Sequence, residues 1–134
     1  MKRYVEEAGR RDVLRLLDRY ECVTSAVMPV ELRSALRRRI AEGTLDAEPV
    51  AEVLKRFTTD RSFWAFVEVT RDILAAAETL VTTHPLRTLD AIHVASAQLF
   101  KTRLAVPELR FVSAHQRQTD AAAAAGMTAT YIGT

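Results

Sequence analysis

Four short runs rich in β-branched and aromatic residues punctuate the chain: YECVT (Tyr20–Thr24), WAFVEV (Trp64–Val69), RFVSA (Arg110–Ala114) and TATYI (Thr128–Ile132). Segments with helical periodicity separate each from the next. Strands that alternate with helices in this way form an α/β layer fold around a short, mostly parallel sheet. No repeat, low-complexity linker or change of composition divides the chain, so residues 1–134 read as one domain.

Local signals place the helices. Pro29 suits the first turn of PVELRSALRRRIAEG and Gly43 its C-terminal cap. Leu32, Leu36 and Ile40 make that helix's apolar stripe, with Glu31 on another face. A second helix runs from near Asp46 to Thr58. Thr70 caps a third that ends near Thr83. Thr88 is the expected N-cap of a fourth, reaching about Lys101, and QRQTDAAAAAG is a helix closed by Gly126. The chain opens in helix-like material with no strand before it.

Bulk composition excludes more than it suggests. A chain of 134 residues is long enough to bury a core without staples. Cys22 is its only cysteine, which rules out an intrachain disulfide and a cysteine-type zinc site. No run approaches the ~18 apolar residues of a membrane span. MKRYVEEAGRRD is charged where a signal peptide would be apolar, so the expected location is cytoplasmic. Lys and Arg outnumber Asp and Glu by only 19 to 17. The run Arg37, Arg38, Arg39 reads as a solvated helix face.

The segment HPLRTLDAIHVASAQL (His84–Leu99) carries chemistry on an otherwise apolar helix. At 100° per residue Asp90, His93, Ala97 and Lys101 share one side, and Ile92, Ala95 and Leu99 the other. Asp90 in a first turn complements the helix dipole. The competing reading is that it faces a cleft and binds something positive. In a parallel α/β sheet, ligands collect beyond the carboxyl ends of the strands, where helices begin. Glu31 and His115 fall at such places, and Asp90 near the start of a helix whose preceding element is another helix. Clustered carboxylates prefer hard cations such as Mg²⁺ or Mn²⁺, which lower the pKa of bound water and offset charge on a phosphodiester.

PVELRSALRRRIAEG, HPLRTLDAIHVASAQL and FVSAHQRQTDAAAAAG, in this order and spacing, together resemble the PIN-domain family, specifically VapC-type toxins of bacterial toxin–antitoxin pairs. The resemblance implies a PIN-like three-layer fold and a Mg²⁺- or Mn²⁺-dependent endoribonuclease. It further implies a homodimer held inactive by a VapB-like antitoxin, with arginines outside the pocket on the RNA backbone. Glu31 and Asp90 match two of the family's four acids and are the implied metal ligands. His93 matches a residue common in these toxins and reads as structural, or as a support to the ligands.

This sequence departs from the pattern twice. The family's first acid lies in a strand ahead of a segment like KRYVEEAG, and that strand, central to the family's sheet, is not in this sequence. The expectation drawn from it is a natural start about ten to a dozen residues earlier, one strand's worth of chain. The fourth acid's place holds His115, a tentative catalytic residue that suits Mg²⁺ poorly. Asp120 lies too far along the last helix to replace it. With two acids of four, activity in this chain is doubtful. The alternative is a catalytically inactive PIN-like module that binds an antitoxin or RNA. A helical interaction domain with no site is a third possibility, and it requires WAFVEV and FVS not to be strands.

Overall fold

The computed structural model describes Arg3, residues 10–106 and residues 108–133. RRDVLRLLDR forms α1 (Arg10–Arg19), whose valine and leucines are half-buried while most of its charges face solvent. It leads into β1 (Val23–Ser25), α2 (Met28–Ala41) and α3 (Ala47–Asp60). One turn of 3-10 helix, Arg61–Phe63, precedes β2 (Ala65–Val67), followed by α4 (Arg71–Thr83) and α5 (Thr88–Arg103). The chain then forms β3 (Arg110–Ser113), α6 (Gln116–Ala124) and β4 (Thr128–Tyr131). This is the α/β arrangement the alternation implied. Strands within WAFVEV and FVS exclude the purely helical domain.

Much of the local punctuation acts as expected. Pro29 sits in the first turn of α2. Thr70, extended at φ −93° and ψ 170°, accepts the Ile73 N–H on its side chain and so starts α4. Gly43 and Gly126, just past the ends of α2 and α6, have φ of +75° and +88°. A Cβ at either would meet nothing within 4 Å, so glycine is needed there for its backbone conformation alone.

Four expectations need correction. The first strand begins at Val23, because the amphipathic run carries α1 through Arg19 and leaves Tyr20 exposed at its end. WAFVEV contributes only its middle, Ala65–Val67, since Thr70 commits the following residues to a helix start. Thr88 does not cap α5. Arg87 holds the extended cap position without a side-chain bond, and Thr88 is the first helical residue. Ile40 leaves the stripe of Leu32 and Leu36: it lies in the last turn of α2, beyond α3, and is 40% exposed.

The strands pair in two parallel ladders. Val23, Thr24 and Ser25 of β1 face Ala65, Phe66 and Val67 of β2; Arg110 to Ser113 of β3 face Thr128 to Tyr131 of β4. At the amino ends of the pairs the Arg110 guanidinium lies 5.8 Å from the ring centre of Tyr20, just ahead of β1. Two apolar clusters build the interior. One joins α4, α5 and α6 through Ile73, Ala77, Leu80, Ala91, Ala95 and Ala121, and takes in Val67, Phe111 and Ala129 from the strands. The small side chains let α4 and α5 pack closely. The other joins α2 to α3 through Leu32, Leu36, Val53 and Phe57, with Trp64 tilted against Phe57 at 5.8 Å.

Candidate functional site

Glu31 and Asp90 both stand in the first turns of their helices, α2 and α5, where unpaired backbone N–H groups and the helix dipole favour a negative charge. The tight turn after β1 aims α2: Ser25 is buried at the strand's end, and its Oγ accepts the Val27 N–H at 3.3 Å. That turn brings Glu31 to α5, where its carboxylate Oε1 is hydrogen-bonded to Nε2 of His93. His93 lies three residues after Asp90, one turn along the same face. Glu31 and His93 therefore meet near the amino-terminal end of α5, one turn along from Asp90. All three are partly exposed, so the group opens to solvent.

The β3 end is tied to the same turn by polar groups of α6. Ser113 Oγ accepts the His115 N–H at 3.0 Å and donates to Gln118 Oε1 at 2.5 Å. Gln118 Nε2 in turn donates to the Asp90 carbonyl at 3.2 Å. Ser113 and Gln118 are buried, so these bonds satisfy groups that water does not reach. Three successive hydrogen bonds thus fix the turn at His115 to the turn at Asp90. His115 occupies the cap position of α6, but its imidazole is exposed and bonds to no described residue. That imidazole makes no described contact with the side chain of Glu31 or Asp90. Asp120 points elsewhere as well, accepting from Gln116 Nε2 at 2.8 Å.

Sequence reasoning named Glu31, Asp90 and His93 but missed Gln118. A signal existed: Gln118 shares one helix face with Ala121 and Ala122, a polar residue in an apolar stripe. A cleft of about 210 Å³ is lined by Ile73, Leu99, Phe100, Arg103 and Leu104. It lies at the opposite end of α5, about 14 Å along the axis from Asp90, and contains none of the site residues.

The donor set was tested for a divalent cation. Mg²⁺ is commonly held by one or two carboxylates and keeps its remaining waters. Among the described residues no three His, Cys, Asp or Glu side chains gather as a metal-binding group. One of the two carboxylates, Glu31, is already engaged by His93. Among the described residues the donor set lacks the crowded carboxylates around which a metal supports phosphodiester hydrolysis.

Residues 4–122 of the sequence match the model of the PIN domain family. The chain belongs to the PIN domain family. No curated protein and no solved structure shows a significant match to it. In this PIN domain no described helix is long and apolar enough to cross a membrane.

Proposed function

We propose that this PIN domain acts as a binding module of a VapC-like toxin–antitoxin system rather than as an RNA-cutting enzyme. The observation that supports it most is the state of the acid pair. Glu31 is held by His93, and no third carboxylate stands with Asp90 among the described residues. Several acids around a cation are what allow a phosphodiester to be attacked, because crowded negative charge is tolerable only when a metal offsets it. Glu31 and Asp90 in this reading are the two remaining ligands of a weak Mg²⁺ or Mn²⁺ site.

The physiological partner is a VapB-like antitoxin encoded beside the chain. Exposed apolar side chains at Val30, Phe63 and Leu104 supply surface for that contact or for a homodimer. The exposed arginines Arg37 and Arg38 at the end of α2 supply charge for an RNA backbone.

Co-expression with the product of the small neighbouring gene tests the reading. The expected result is a stoichiometric complex and no RNA cleavage by the released domain, with or without Mg²⁺. His115→Asp alone is expected to restore none. Mg²⁺-dependent cleavage that disappears in Asp90→Asn would overturn the proposal, and so would a monodisperse monomer that ignores the neighbour.

A further inference from the structure

The segment around β2 carries both a projecting ring and, at its far end, a hollow of the size to hold one. Phe63 closes the 3-10 turn ahead of β2 and is 81% exposed, more than any other large apolar side chain among the described residues. The cleft of about 210 Å³ opens at the other end of the same strand. Val67 and Glu68 line it from the strand, Ile73 from α4, and Phe100, Arg103 and Leu104 from the end of α5. Apolar cavities of about 150 Å³ already take up benzene, so a phenylalanine side chain fits this one. Phe63 does not reach the cleft of its own molecule. About 13 Å of extended chain lies between Phe63 and Val67, and pairing with β1 holds that stretch straight.

The charges beside ring and cleft are opposite in sign and unbalanced. Arg61 opens the turn that Phe63 closes, its guanidinium 5.3 and 5.5 Å from the ring centres of Phe57 and Phe66. No carboxylate pairs with it among the described residues. Arg103 in the cleft is engaged by Asp72 at 2.5 Å, which leaves the exposed carboxylate of Glu68 without a described cation. Ala65, midway between Phe63 and Val67, is exposed and carries only a methyl group, so nothing bulky stands at the centre. β1 pairs with one edge of β2, and no other described strand pairs with it.

We propose that Phe63 docks in the cleft between β2 and α5 of a second copy of this chain, and that the second copy returns the same contact across a two-fold axis at Ala65. The register is self-consistent. Turned antiparallel about Ala65, each Phe63 meets the other chain's Val67, and each Arg61 comes beside the other's Glu68. One isologous surface then satisfies ring, cleft and both charges, each of them twice. A partner of different sequence would fill the cleft and leave Phe63 and Arg61 bare, so complementarity selects the second copy. Leu104, 62% exposed where it lines the cleft, is covered by the same contact. Buried rings with charges at their margin are the usual anatomy of a stable interface. This rests on the binding-module reading, which allows a homodimer, and gives that dimer its surface.

Analytical ultracentrifugation of the full chain, from micromolar to millimolar concentration, provides the test. The wild type is expected to dimerise, and Phe63→Ser to weaken the dimer by about thirtyfold or more. The circular dichroism spectrum should not change, because the ring stands almost wholly at the surface. Leu104→Asp probes the cleft side and should act like Phe63→Ser. Arg61→Glu and Glu68→Arg should each weaken the dimer by about tenfold, and the double variant, which re-forms the pairs with signs exchanged, should regain most of that loss. A chain that stays monomeric throughout, a dimer indifferent to Phe63→Ser, or reversals that do not compensate would each overturn the assignment. Phe63→Ser is expected to leave the complex with the neighbouring gene's product intact; loss of that complex would give the ring to the antitoxin and overturn the second copy. Failure of the dimer with an intact antitoxin complex removes this surface alone. RNA cleavage by a dimer that Phe63→Ser dissociates removes the binding-module reading alone.

Discussion

The imidazole of His93 on α5 and the carboxylate of Glu31 on α2 hold one another across 62 positions of sequence, and they join the two halves of the interior. A lone Asp90 would be a helix-dipole residue. With Glu31 drawn to the same end of α5 it becomes half of a candidate site.

That pair predicts energetic coupling. Glu31→Gln and His93→Gln each remove one side of a partly buried, charge-assisted bond. The double variant is expected to fall short of the sum of the singles by about 0.5–1.5 kcal/mol in chemical denaturation. Additive singles would mean that the contact does not stabilise the fold.

Gln118→Leu removes two hydrogen bonds at once and leaves the Ser113 hydroxyl without its acceptor in a dry setting. A loss of about 1–3 kcal/mol is expected from thermal or urea unfolding. The turn bearing Asp90 should loosen with it, seen as faster exchange of the amides at the start of α5. Gln118→Glu offers the same shape without the N–H donor and should be nearly as costly.

Ala105 closes α5 at φ +49°, a conformation that a side chain disfavours. Ala105→Gly is expected to raise stability by about 0.5–1 kcal/mol, a gain visible as a higher melting temperature. The converse, Gly126→Ala at φ +88°, should lose a similar amount although space for the methyl exists.

Burial pushes the Cys22 thiol up, with the nearby Arg3 charge opposing the shift. The unfolded thiol then ionises first as pH rises. Stability is whole below the ordinary thiol range and declines above it until the folded thiol ionises too. Cys22→Ser should flatten that alkaline decline in denaturation curves. Thiol-reagent kinetics should show slow modification of the native chain near neutral pH.

Signals that act over a few residues were legible in the sequence. Thr70, Pro29, Gly43 and Gly126 each set a helix end by local geometry, and each stands where expected. Thr88 misled because a residue of good capping type need not occupy the extended position, which Arg87 takes here. Tyr20 misled because β-propensity lost to a helix already propagating on its amphipathic face. Glu31 and Asp90 could be named from sequence through a resemblance. The placing of Glu31 beside the start of α5 could not, since it depends on His93 reaching a helix 62 positions earlier. Gln118 escaped because its partner is a backbone carbonyl, which leaves no mark on composition.

The two separate apolar clusters have a consequence for how this domain opens. α2 and α3 share one, and α4, α5 and α6 share the other; α2 meets α5 through Glu31 and His93. Cooperative units of this kind can unfold piecemeal, the smaller at lower free energy. Opening of the α2–α3 lobe would carry Glu31 away while Asp90 stayed with the larger lobe. The integrity of the acid pair is then a thermodynamic property of the smaller lobe: whatever clamps that lobe assembles the pair, and whatever pries it loose takes the pair apart.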